Sequence, residues 1–135
     1  MAYELKGFSH TFPASTGLKQ YQLVDVNSNG RVINPTTSGV VIGVLQSSGT
    51  TGSTGRAGST DSGSVQTVGW GSVIKVIAGT TTIDTGDLLK ADTDGRASTS
   101  SSTSFYFGRA LASVNSTSTS AQIITALWAP GGYPA

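Results

Sequence analysis

Apolar residues in this chain mostly recur at every second position. Tyr21 and Leu23 alternate with Gln20 and Gln22, and the pattern continues through Val24 and Val26. Further short runs lie at 40–45, 73–77 and 122–128, rich in Val, Ile, Thr and aromatics and set among Gly, Ser, Asn and Asp. A side-chain period of two in short β-branched runs predicts half-buried strands. No stretch sustains a helical period without Gly or Ser/Thr clusters interrupting it, so little helix is expected, a single turn at most.

Two hairpin signals punctuate the strands. Asn29-Gly30 and Asp94-Gly95 predict type I′ turns, in which both central residues take positive φ. Their surroundings match: Leu23-Val24-Asp25-Val26-Asn27-Ser28-Asn29-Gly30-Arg31-Val32 corresponds to Leu88-Leu89-Lys90-Ala91-Asp92-Thr93-Asp94-Gly95-Arg96-Ala97, 65 residues on (95 − 30). At the same offset Val41-Ile42-Gly43 aligns with Tyr106-Phe107-Gly108. Two structural copies follow, about 17–45 and 82–111, each a strand–turn–strand with a Gly-containing strand after it. Such units bury a shared core by pairing faces. The expected fold is therefore all-β, a small barrel or compact sandwich of two similar strand–turn–strand units, with an extended N-terminal arm.

The unmatched segments define the remaining organisation. Residues 17–128 form one β-domain, 1–16 an arm and 129–135 a tail, because Pro130-Gly131-Gly132-Tyr133-Pro134 is not expected to form regular structure. The arm carries Tyr3, Leu5, Phe8 and Phe12, large apolar groups expected to lie on the domain or on a neighbour. The first copy also carries an insert of about ten residues within 46–64. Its Gly/Ser/Thr composition predicts a flexible loop, either an exposed tip or a segment that orders against a partner.

Composition narrows the function classes. The 135 residues, 13.7 kDa, suffice for one domain with a modest core. Charged residues are 11%, well under the usual quarter, and Ser with Thr fill nearly three positions in ten. Such a hydroxyl-rich, near-neutral surface lets copies sit side by side at high density. A net charge of +1 is too weak a field for a nucleic-acid footprint. With no cysteine there is neither a disulfide framework nor a thiolate metal site. No run approaches the length needed to span a bilayer as a helix, and 1–15 does not read as a signal peptide, so synthesis in a cytosol is expected.

Candidate chemistry is sparse. The single histidine, His10, lies in the arm, away from any expected Ser–His–carboxylate geometry. Asp84 with Asp87, and Asp92 with Asp94, are close in sequence. Asp92-Thr93-Asp94-Gly95 resembles the start of a calcium loop but lacks the later ligands, so turn chemistry is expected there. The glycines between 49 and 58 lead into no Gly-Lys-Ser/Thr. No catalytic residue, metal or cofactor is expected. Trp70 and Trp128 each read either as core or sheet-face packing or as a sugar-stacking platform or interface anchor, and Trp70, between Gly69 and Gly71, lies where a bend would make its ring project.

Read in order, several motifs resemble a known family. Gly17-Leu18 opens a strand and an Asn-Gly turn; Val41-Ile42-Gly43-Val44-Leu45, a polar loop and Val73-Ile74-Lys75-Val76 follow. Thr85-Gly86-Asp87-Leu88-Leu89 leads into the Asp-Gly turn, and Phe107-Gly108-Arg109-Ala110-Leu111 into a last strand ending at Leu127. This order is similar to that of the capsid cement, or head decoration, proteins of tailed bacteriophages, and it covers most of 17–128. The resemblance implies a virion protein added to the outside of an icosahedral head, with the major capsid protein and further copies of itself as partners, trimers being favoured. It implies no nucleic-acid or membrane partner. The long 46–64 loop and the apolar arm depart from the family pattern. Tyr3, Leu5, Phe8, Phe12 and Trp70 are accordingly the expected neighbour contacts, and loss of residues 2–12 is expected to spare the fold. The alternatives are a phage tail or fibre-associated binding module and, after it, a carbohydrate-binding module.

Overall fold

The computed structural model describes residues 8–13, 18–36, 40–45, 56–57, 62–67, 72–79, 82–100, 105–115 and 122–132. All regular structure among them is β. The first half contributes β1 (Phe8–Pro13), β2 (Leu18–Lys19), β3 (Leu23–Val26), β4 (Val32–Ile33), β5 (Gly43–Leu45), β6 (Arg56–Ala57) and β7 (Ser62–Thr67). The second contributes β8 (Ser72–Ile77), β9 (Leu88–Ala91), β10 (Ala97–Thr99), β11 (Tyr106–Ala110) and β12 (Ile123–Gly131). The all-β expectation holds, in a compact barrel-like arrangement.

The two halves form one sheet twice. Strand order is β4-β3-β5-β7-β1 in the first and β10-β9-β11-β12-β8 in the second, antiparallel throughout. Register repeats as well as order. Leu23 faces Val44 as Leu88 faces Arg109, and Val26 faces Val32 as Ala91 faces Ala97. Val44 faces Gln66 as Arg109 faces Leu127, and Phe8 faces Thr67 as Ser72 faces Trp128. The short β2–β6 ladder, Leu18 on Ala57, has its counterpart in the bridge between Ile83 and Val114.

This correspondence corrects the expected boundaries. The N-terminal segment is extended, but from Phe8 to Pro13 it is a strand laid along β7 and equivalent to β8. The repeat therefore spans 8–67 and 72–131, beyond the two copies read from the turns. The offset falls from 65 at β5 to 61 at β7, so the first unit holds a net four extra residues there (65 − 61) and not about ten. The difference arises because β7, Ser-Gly-Ser-Val-Gln-Thr, is a polar strand that apolar alternation does not reveal. Within 46–64, residues 56–57 and 62–64 are strand. Pro130 and Gly131 extend β12, where Gly131 pairs with Tyr106, so the tail begins later than expected.

Each unit fills its own interior with equivalent positions. Leu18, Val24, Val32 and Leu45 are fully buried in the first, with Phe12 and Ile42 packed against them. Their counterparts Ile83, Leu89, Ala97, Ala110, Val76 and Phe107 all belong to the core of the second. Three large-to-small exchanges, Phe12 to Val76, Val32 to Ala97 and Leu45 to Ala110, accompany the larger Leu89 and Phe107, the latter leaning on Trp128 with ring centroids 5.8 Å apart. Compensating volumes in this way keeps a core close-packed. Gly108 allows the close approach of β12: a Cβ there would lie 1.8 Å from the Leu127 carbonyl oxygen. The second sheet curls until its edge strands meet, with Ala78 bridging to Ala97 and Gly79 N–H donating to the Ala97 carbonyl at 2.7 Å.

The two matched turns are built alike. Asn27 Oδ1 accepts the N–H groups of Asn29 and Arg31, both at 3.0 Å, and Asp92 Oδ1 those of Asp94 and Arg96 at 2.9 and 2.8 Å. Gly30 and Gly95 take φ of 71° and 73° and donate to the carbonyls of Asn27 and Asp92. Asn29 and Asp94, however, do not have positive φ, so these are not type I′ turns. The Asx side chain folds the loop from within, and glycine alone takes the left-handed position, as in a type I turn with a glycine bulge.

Candidate functional site

The expected contact residues fall in different places. Tyr3, Leu5 and Trp70 lie outside the described residues. Phe8 pairs with Thr67 at the start of β1. Phe12 is half-buried on the interior of its own unit, so it helps build the fold it was expected to leave. Removing residues 2–12 would take most of β1 with it, which corrects the expectation that the fold is spared. Trp128 is 5% exposed and packed on Phe107, with no ring face open for a sugar. Asp87 Oδ2 accepts the Asp84 N–H at 2.9 Å, and Arg96 pairs with Asp92 and Asp94 at 3.3 and 2.9 Å; both are turn chemistry.

The principal interface within the chain joins the two units. Tyr21 sits there with φ of 64°, a left-handed conformation rare outside glycine. Both its backbone groups are held: its N–H donates to the Leu45 carbonyl at 2.7 Å, and its carbonyl accepts Ile77 N–H at 3.1 Å. Its ring lies under the Lys75 ammonium, 5.6 Å from the centroid. Leu23 N–H donates to the Gly95 carbonyl at 2.7 Å, tying β3 to the far turn. Buried Gln22 completes the joint, accepting Lys19 N–H at 2.8 Å and donating to Asn34 Oδ1. Leu23 and Val44 point away from their own interior. They are 0% exposed because they join the core of the second unit, as Val41 does.

The same face of the second unit has a different surface. Gly86, Leu88, Tyr106 and Arg109 stand where Tyr21, Leu23, Val41 and Val44 stand in the first. Leu88 and Tyr106 are half-buried and Arg109 is exposed. Arg109 Nη1 donates to the Gly86 carbonyl at 3.0 Å, the equivalent of the carbonyl that Tyr21 offers to Ile77. Around it β12 supplies Leu127 opposite Arg109, and Ile123 two rungs along, 46% exposed. Leu111, 42% exposed, donates its N–H to Thr125 on the rung between. In the sequence Arg109 is one residue of a strand motif, with nothing local to single it out. The signal lay in the copies: at a fixed offset a valine, Val44, becomes an arginine.

The molecule thus belongs to the class of all-β proteins built from a duplicated five-stranded unit, the copies joined outer face to edge. Its fold is similar to that of the N base of head fiber gp8.5 in bacteriophage phi29. That likeness covers 90% of this chain and 93% of that one, with a TM-score of 0.59 and 19% identity. No family model matches the chain, and no curated protein does.

Proposed function

We propose that this protein is a structural component of a phage head, standing on its outer surface against the major capsid protein. The observation that carries the reading is the end-to-end likeness to the base of a head fiber, covering nine-tenths of both chains. In the finer reading the protein bridges neighbouring capsid subunits and joins its own copies, as a trimer, so that many weak contacts add up over the shell. The near-neutral surface supports this, since 11% charged residues allow dense packing without long-range repulsion. Its role is binding, not catalysis. A head location is favoured over a tail one because the similar structure is a head-fiber base. The carbohydrate reading loses Trp128, which is buried.

The test is co-sedimentation of the purified protein with heads assembled from the major capsid protein of the same phage. Saturable binding, with added density on the shell exterior by electron cryomicroscopy, is the expected result. A protein that stays in the supernatant at concentrations well above those of capsid subunits would refute the reading.

A further inference from the structure

We infer that the outer face of the second unit, centred on Arg109, docks a protein other than this chain, one that offers a carboxylate set among apolar side chains. This rests on the head-surface reading for the partner's identity, and on the repeat for everything else. The scaffold already uses this face once. In the first unit the equivalent positions Leu23 and Val44 are 0% exposed beneath the second unit. In the second unit the face keeps an apolar frame of Leu88, Leu127, Leu111 and Ile123 around Arg109, and Lys90 on β9 and Lys75 on β8 add positive charge on the same face.

The internal docking does not propagate to a second copy, because both of its sides have changed. Where Tyr21 lends a ring, the second unit has Gly86. Where Tyr21 gives its carbonyl to Ile77, the Gly86 carbonyl is taken by Arg109. On the opposing edge the position of Ile77 is held in β1 by Pro13, which has no N–H to donate. A second copy seated this way would lose the bond that Ile77 N–H makes at the joint and would place the Arg109 charge where Val44 is fully buried, which is costly.

The partner's chemistry follows from Arg109. Its bond to Gly86 uses one of the five guanidinium donors, and it forms no ion pair with a described residue. Arginine framed by apolar side chains is a frequent interface anchor, and a carboxylate meets its fork with two parallel bonds. Desolvation by the surrounding leucines and isoleucine would strengthen that pairing.

Head co-sedimentation of variants tests the inference, each first checked for an unchanged thermal unfolding midpoint. Wild type is expected to bind. Arg109→Glu is expected to bind about ten-fold or more weakly, and Leu111→Ser/Ile123→Ser to bind weakly also. Lys19→Glu, a reversal of an exposed charge on β2, should leave binding unchanged. Equal binding by wild type and Arg109→Glu overturns the inference and spares the head reading, as does an equal loss on Lys19→Glu. Wild type that does not bind heads overturns both.

Discussion

Tyr21 and Gly86 occupy one position of the two units. Their φ angles are 64° and 96°, and their N–H groups close the same bond, to Leu45 at 2.7 Å and to Ala110 at 2.8 Å. The bonds beside them match in turn: Gln22 Oε1 accepts Lys19 N–H at 2.8 Å, and Asp87 Oδ2 accepts Asp84 N–H at 2.9 Å. A left-handed residue is therefore a requirement of the repeat itself. Glycine meets it without strain in the second unit. The first unit carries a tyrosine there, whose ring and carbonyl both engage the second unit. The backbone strain has been kept where it serves the joint.

The paired turns allow a controlled comparison of glycines. Gly30 and Gly95 share φ, but a Cβ on Gly30 meets nothing within 4 Å, whereas one on Gly95 would lie 2.3 Å from Gln22 Cγ and 2.5 Å from the Leu23 carbonyl oxygen. Gly30→Ala is expected to cost only the left-handed backbone, about 1–2 kcal/mol. Gly95→Ala adds a clash at the joint, for a total of about 3 kcal/mol or more. Urea unfolding of both variants checks this. Equal costs would mean that the joint contributes nothing at Gly95.

The acid at the second turn should be replaceable. Asp92 accepts the same two N–H bonds that Asn27 accepts in the first turn. Asp92→Asn keeps those bonds and loses only partly exposed pairing with Arg96, so a cost under about 1 kcal/mol is expected. Asp92→Ala abandons both bonds and should cost about 1–2 kcal/mol more. Unfolding midpoints at low and high salt separate the terms: the Asn variant's deficit should shrink with salt, and the Ala variant's should persist.

How much of this was legible depended on whether the determinant was local. An Asx residue three before a glycine folds a turn by its own side chain, so the pair at Asn27-Gly30 and Asp92-Gly95 could be matched by eye. The strands that complete each sheet share a place, not a composition. β1 reads Phe-Ser-His-Thr-Phe-Pro and β8 reads Ser-Val-Ile-Lys-Val-Ile, alike only in what they pair with. Pairing is a long-range property, and Phe12 among polar neighbours looked like an arm because its partner β7 was itself hidden by polar residues. The Arg109 face escaped for a related reason. Its meaning is a difference between copies, and it appears only once Val44 is known to be buried against the second unit.

Because 8–13 is a strand, the N-terminal truncation has a new expected outcome. Deleting residues 2–12 removes nearly all of the β1–β7 ladder and takes Phe12 from the first unit's interior, at a cost of about 1.5 kcal/mol or more from that ring alone. Deleting 2–7 leaves the described β1–β7 ladder, Phe8 to Pro13, in place and should hold the urea midpoint near wild type. Head binding by the shorter deletion then reports on Tyr3 and Leu5 without the fold intervening. If the 2–12 deletion unfolds at the wild-type midpoint, β1 is not an integral strand.

The two tryptophans can be separated to test the carbohydrate alternative. Trp70→Phe leaves Trp128 as the sole tryptophan. With 5% exposure and Phe107 against its ring, Trp128 should emit at short wavelength and resist quenching by acrylamide. No mono- or oligosaccharide should shift its emission, because stacking needs an open ring face. Trp128→Ala should cost about 3–5 kcal/mol as a core truncation. In wild type, a sugar-induced shift that vanishes in Trp70→Phe would assign glycan binding to Trp70. A shift that survives in Trp70→Phe would require the Phe107–Trp128 pair to open, and would return the carbohydrate reading to first place.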